Sequence, residues 1–147
     1  MVGPRKRYRL ADTAQQLVGG FLLAGPFVVT EEVWVLAENM GPVHTIVTVG
    51  IVVAIGYGAL YQADADRIPE REAEVIGIPL RFVSLMGVSF GSVGILALAL
   101  TAPETFLLAG EILTDPSRSA IAVTTLKAIS VGAIFSVVGA ATADTVF

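Results

Sequence analysis

The chain has 147 residues, 54% of them hydrophobic and 15% charged, with a formal net charge of −4. Soluble domains carry roughly 25% charged residues, so a mean hydropathy of +0.78 excludes an ordinary soluble fold. Acidic residues outnumber basic ones, 13 to 9, which argues against nucleic-acid binding, and the absence of cysteine rules out disulfides, thiolate catalysis and Cys-ligated metals.

The first nine residues contain Arg5, Lys6, Arg7 and Arg9. The apolar run behind them is too long for a signal peptide, and no small-residue cleavage site precedes Glu31. This arm therefore reads as a cytoplasmic anchor that obeys the positive-inside rule. A first helix is expected over about 12–38. Its uncharged part, 13–30, is about 27 Å long at 1.5 Å per residue, nearly enough to cross a hydrocarbon slab of about 30 Å. Pro26, beside Gly25, removes a backbone hydrogen bond and is expected to kink the helix. Glu31, Glu32 and Glu38 then fall at the outer boundary, next to Trp34, which reads as an interface anchor.

Asn39-Met40-Gly41-Pro42 predicts a tight turn into a second helix over 43–62. Gly50, Ala54 and Gly58 recur there at four-residue steps, a stripe that lets another helix approach closely. A charged loop is expected over 63–74. The third helix begins near Val75, with Arg81 placed to snorkel towards the inner headgroups. Residues 82–103 are uncharged and form the clearest span, with Gly87 and Gly91 as a GxxxG pair. An outer segment follows over 104–118, carrying Glu104 and Glu111. The fourth helix, 119–143, shows Ala128, Gly132, Ser136 and Ala140 at four-residue steps, and Lys127 sits roughly two turns into it.

These elements predict an all-α, polytopic membrane protein that forms one transmembrane domain. Its four spans would make two tandem hairpins, about 12–62 and 75–143, with both termini cytoplasmic. Seven of the nine basic residues lie on the inner side of that topology, as the positive-inside rule requires. At an offset of 73, Ala24 falls on Ala97, Glu31 on Glu104 and Glu38 on Glu111. At an offset of 82, Gly50, Ala54 and Gly58 fall on Gly132, Ser136 and Ala140. The chain therefore reads as an internal repeat whose halves are related by an axis along the membrane normal.

Acids seven residues apart share one helical face, about 10.5 Å from each other. If the faces of the first and third spans meet, Glu31, Glu32, Glu38, Glu104 and Glu111 form an acidic outer vestibule. Ordinary interfacial carboxylates solvating helix ends would give the same pattern. Lys127 requires a partner, for which Glu31, Glu32 or Glu104 is the candidate; the pair would either hold the fourth helix or yield to an incoming cation. His44, on the first turn of the second helix, suits a proton relay, whereas one His among carboxylates is too little for a metal site. No cofactor is expected.

The run Gly25-Pro26-Phe27-Val28-Val29-Thr30-Glu31-Glu32-Val33-Trp34 resembles the first-helix signature of a family of uncharacterised integral membrane proteins. That family occurs in halophilic archaea and some bacteria, and its pattern is G-x-P followed by T-x-E-x-W. Here Gly25 and Pro26 abut without a spacer, and Thr30, Glu32 and Trp34 follow. Ala102-Pro103-Glu104 resembles a second Pro-acid step. The resemblance implies a multi-helix membrane fold and no activity.

Two functions remain open. One is an oligomeric cation channel or transporter in the cell membrane, with the glutamates concentrating cations at its mouth. The other is a non-catalytic structural or regulatory subunit whose small-residue faces dock a partner membrane protein or lipid. With no Cys, one His and no GxSxG or HExxH pattern, the sequence lacks the parts of an intramembrane enzyme.

Overall fold

A computed structural model describes residues 10–63, 74–75 and 78–146. The basic arm, and residues 64–73 of the charged loop, lie outside the described residues. The helices are α1 (Leu10–Val28), α2 (Glu31–Asn39), α3 (Pro42–Ala63), α4 (Leu80–Ala99) and α5 (Arg118–Val146), with a π-helical segment at Pro103–Ala109 between α4 and α5. A two-residue antiparallel pairing of Glu74–Val75 with Ile78–Pro79 leads into α4. By length and composition α3, α4 and α5 can each cross a membrane, and the bent α1–α2 pair makes a fourth span if counted as one.

The first expected helix is in fact two, meeting at 82°. The break is not at Gly25 and Pro26: α1 runs through both and ends at Val28. Its loose carbonyls are taken up just beyond that end. The Thr30 amide and hydroxyl both donate to Phe27 O, at 3.3 and 2.9 Å, and the Trp34 indole donates to Val28 O at 3.0 Å. Pro26 lies in the last turn of α1, so its missing N–H and its ring disturb only the carbonyl one turn back, and the helix continues to Val28. What turns the chain is the side-chain capping that follows, with Thr30 in an extended conformation ahead of α2. Trp34 is 1% exposed and stacks near Phe106, ring centroids 6.0 Å apart, so it packs inside and is no headgroup anchor. As the chain's one tryptophan, it should emit at blue-shifted wavelengths and resist acrylamide quenching. Replacing it with Phe leaves Val28 O without that donor, at an expected cost of about 1–3 kcal/mol, readable as a lower thermal midpoint in detergent.

The second break parallels the first. After α4 the backbone passes through Thr101 at φ 53, a left-handed conformation costly for a β-branched residue. Pro103 then opens the π-helical segment, which ends with the Gly110 amide on Thr105 O at 2.9 Å. Thr101→Gly is expected to raise stability by about 1 kcal/mol by removing that strain, as chemical denaturation in detergent would show.

At the 73-residue offset the buried positions of α1 and α4 coincide: Asp12 with Leu85, Gln16 with Ser89, Gly19 with Ser92, Gly20 with Val93 and Ala24 with Ala97. The packing nonetheless departs from two self-contained hairpins. The central helix is α5, flanked by α1, α4 and α3, while α1 packs against α4 and α5 and has no substantial contact with α3. The nine residues of α2, about 13 Å of helix, carry the start of α3 sideways from the end of α1.

Small residues decide which faces meet. Gly19 of α1 crosses Gly139 of α5 backbone to backbone, and Ser136 and Gly132 of α5 are buried against Gly20 and Val93 respectively. Ala128 and Ala140 of the same stripe are buried too. The other stripes stand apart. A Cβ added at Gly50, Gly58, Gly87 or Gly91 would meet nothing within 4 Å, and Ala54 is exposed. On α3 the close contact is made one turn face away, where Gly56 lies against Met86, Val137 and Leu85. A four-residue spacing marks a face that can pack closely, and says nothing about whether a helix of the same chain arrives there.

Candidate functional site

The five glutamates lie on the surface of the chain, along α2 and around the π-helical segment. Glu31 and Glu32 occupy the first turn of α2, where their charge complements the positive end of the helix dipole. Glu38 lies near the end of α2, Glu104 in the π-helical segment and Glu111 just past it, and all five are exposed. Among the described residues no group of three His, Asp or Glu could hold a metal ion.

Lys127 finds a different partner from the expected carboxylates. Its ammonium donates to the carbonyl of Met40 at 2.6 Å, where α2 gives way to the turn before α3. A lysine at a helix C-terminus meets loose carbonyls and the negative end of the dipole, so one bond ties α2 onto α5. His44 is exposed, and its Nδ1 accepts the Gly41 amide at 3.1 Å. In that place it caps the turn into α3.

The buried charges lie at the opposite end of the bundle, where α1 and α4 begin and α5 ends. Arg81 is 1% exposed. Its Nη1 donates to both oxygens of Asp144, at 2.7 and 2.8 Å, and its Nη2 donates to Asp12 Oδ2 at 3.0 Å. The two arms of the guanidinium are thus divided between α1 and α5. Gln16 Nε2 reaches Asp144 Oδ2 at 3.3 Å, and Ser84 Oγ donates to Gln16 Oε1 at 2.6 Å. Since that bond uses the one hydroxyl proton of Ser84, Thr13 must be the donor in its 3.1 Å contact with Ser84. Arg81 therefore does not snorkel. A guanidinium stripped of water costs several kcal/mol unless well paired, and two carboxylates from other helices lie within its reach.

A second polar node sits deeper between the same three helices. Ser136 Oγ donates to Gly20 O at 3.2 Å, which leaves Ser92 to donate to Ser136 at 2.8 Å. Ser89 is fully buried between the two levels and bonds Leu85 O at 2.6 Å. Nearby, the rings of Phe27 and Phe135 stack with centroids 3.7 Å apart.

Sequence reasoning missed Asp12, Gln16 and Asp144 and gave Arg81 another role. A signal was present: Arg81 in the first turn of one span, an acid near the start of another and Asp144 near the end of a third all fall at one end of an up-and-down bundle. A charge at a span terminus also reads as a headgroup contact, however, and spacing alone cannot separate the two.

Three to four apolar spans with α5 at their centre, and ionisable groups buried between them, define a polytopic helical membrane protein. The chain belongs to the DUF2391 family of integral membrane proteins, whose model matches residues 4–143. No curated protein and no solved structure matches it.

Proposed function

We propose that this protein is a non-catalytic ion carrier or channel of the cell membrane, handling a monovalent cation or a proton, with the Asp12–Arg81–Asp144 junction as its working part. The observation that carries this reading is the burial of three ionisable side chains from three helices at one mouth of the bundle. Inside a membrane protein such groups mark ion pathways and proton relays far more often than surface charges do. The basic arm next to α1 supports an orientation with this mouth cytoplasmic. The exposed glutamates at the far end would then attract cations before entry. Corresponding breaks after α1 and α4 add support, because interrupted helices at equivalent positions of a repeat accompany transport sites.

The test is ion flux into proteoliposomes under an imposed gradient. Asp12→Asn keeps the shape of the side chain and should abolish flux. Glu31→Gln and Glu104→Gln should slow it chiefly at low ionic strength, where surface charge is poorly screened. Flux that is unaltered in Asp12→Asn would remove the junction from the pathway.

A docking subunit is the second reading, and α3 is the observation that favours it. Gly50 and Gly58 present open backbone to the surroundings of an otherwise apolar helix, which suits a second copy or another membrane protein. A stoichiometric partner retained on purification, together with silent vesicles, would favour this reading over transport.

A further inference from the structure

We infer that the ion served by the junction is the proton, that Asp12 is the group that takes it, and that Arg81 then stays on Asp144. This rests on the transport reading above and adds the identity of the ion. Four features of the site point the same way. The guanidinium lies within 3.0 Å of both carboxylates, and its N–H groups fill the space that a metal ion on the same oxygens would need. A metal would have to displace N–H donors already bound to both Asp144 oxygens, whereas a proton needs no coordination shell. Among the described residues there is no group of three carboxylate or imidazole ligands to supply such a shell. Between the two acids, the Asp12 side chain retains 11% exposure and that of Asp144 none, so Asp12 is the one that solvent reaches.

The surrounding chemistry suits proton exchange. Among the described residues Arg81 from α4 bonds Asp12 and also holds Asp144 of α5, and Gln16, Ser84 and Thr13 join the same network through Asp144. When a hydronium ion gives its proton to an Asp12 oxygen, one O–H bond breaks in the water and one forms on the carboxyl. Arg81 and Asp144 remain as a neutral pair, so the buried guanidinium is never left without a counter-charge. Above them Ser89, Ser92 and Ser136 supply hydroxyls, which both donate and accept.

The experiment is to reconstitute the protein in vesicles with a pH-sensitive dye trapped inside, and to compare a proton gradient with sodium and potassium gradients. Proton flux in the wild type, reduced to the level of protein-free vesicles in Asp12→Asn and restored at least in part in Asp12→Glu, supports the inference. A parallel infrared measurement on acidification should show a carboxylic-acid band that Asp12→Asn lacks, and this readout remains informative should the variant reconstitute poorly. Sodium or potassium flux without proton movement would overturn the proton assignment while leaving the junction as an ion site. Silence towards all three ions would overturn the transport reading and this inference together. Wild-type proton flux in Asp12→Asn, or an unchanged infrared band, would overturn the role of Asp12.

Discussion

Asp144→Ala is expected to destabilise the protein by about 3–5 kcal/mol, the usual cost of removing one partner from a buried ion pair. Arg81 Nη1 would lose both Asp144 oxygens, and Gln16 Nε2 would lose its acceptor. The same loss reaches all three helices, because Arg81 is the only described side chain that joins α1, α4 and α5 through ionic contacts. Unfolding of the purified protein in detergent, followed by the emission of Trp34, measures it. The triple variant Asp12→Leu, Arg81→Met and Asp144→Leu removes the charges together and should recover part of the loss, since well-packed apolar replacements of buried ion pairs are often close to neutral. A single variant as stable as wild type would show that the junction contributes nothing to the fold.

Gly19→Ala should cost about 3 kcal/mol, at the upper end for overpacking. Its new Cβ would fall against the Gly139 carbonyl oxygen, 2.7 Å from the Gly139 carbonyl carbon and 2.8 Å from Ala143 Cβ. Two of those three atoms are backbone and cannot rotate away, so α1 and α5 would have to separate along the most extensive helix contact in the molecule. Gly50→Ala and Gly58→Ala are the controls. Both open onto empty space, and each should leave the protomer within about 0.5 kcal/mol of wild type. A large loss in either control would place a partner on α3. Thermal unfolding of the four proteins side by side distinguishes these outcomes.

Much of the helical layout could be read from local chemistry. The uncharged run at 82–103 and the Pro42 start of α3 required nothing beyond hydropathy and turn residues. The stripe on α5 announced a close-packed face for the same reason. The position of the first bend could not be read this way: Pro26 is the visible helix breaker, yet Thr30 and Trp34 hold the turn through bonds to Phe27 O and Val28 O. The glutamates show the same limit. Their spacing put them on one face, whereas their exposure depends on where α2 and the π-helical segment lie relative to the rest.

Taken alone, the amino-acid order determined that this chain belongs in a bilayer and roughly where its spans begin and end. Those properties depend on neighbours within a few turns of helix. Tertiary structure decided that α1 packs against α4 and α5, that one small-residue stripe is filled and another left open, and that Asp12, Arg81 and Asp144 meet. The last three are 63 or more residues apart. A charge near a span end can lie among headgroups or inside the bundle, and only the arrival of an opposite charge from a distant helix makes the interior affordable.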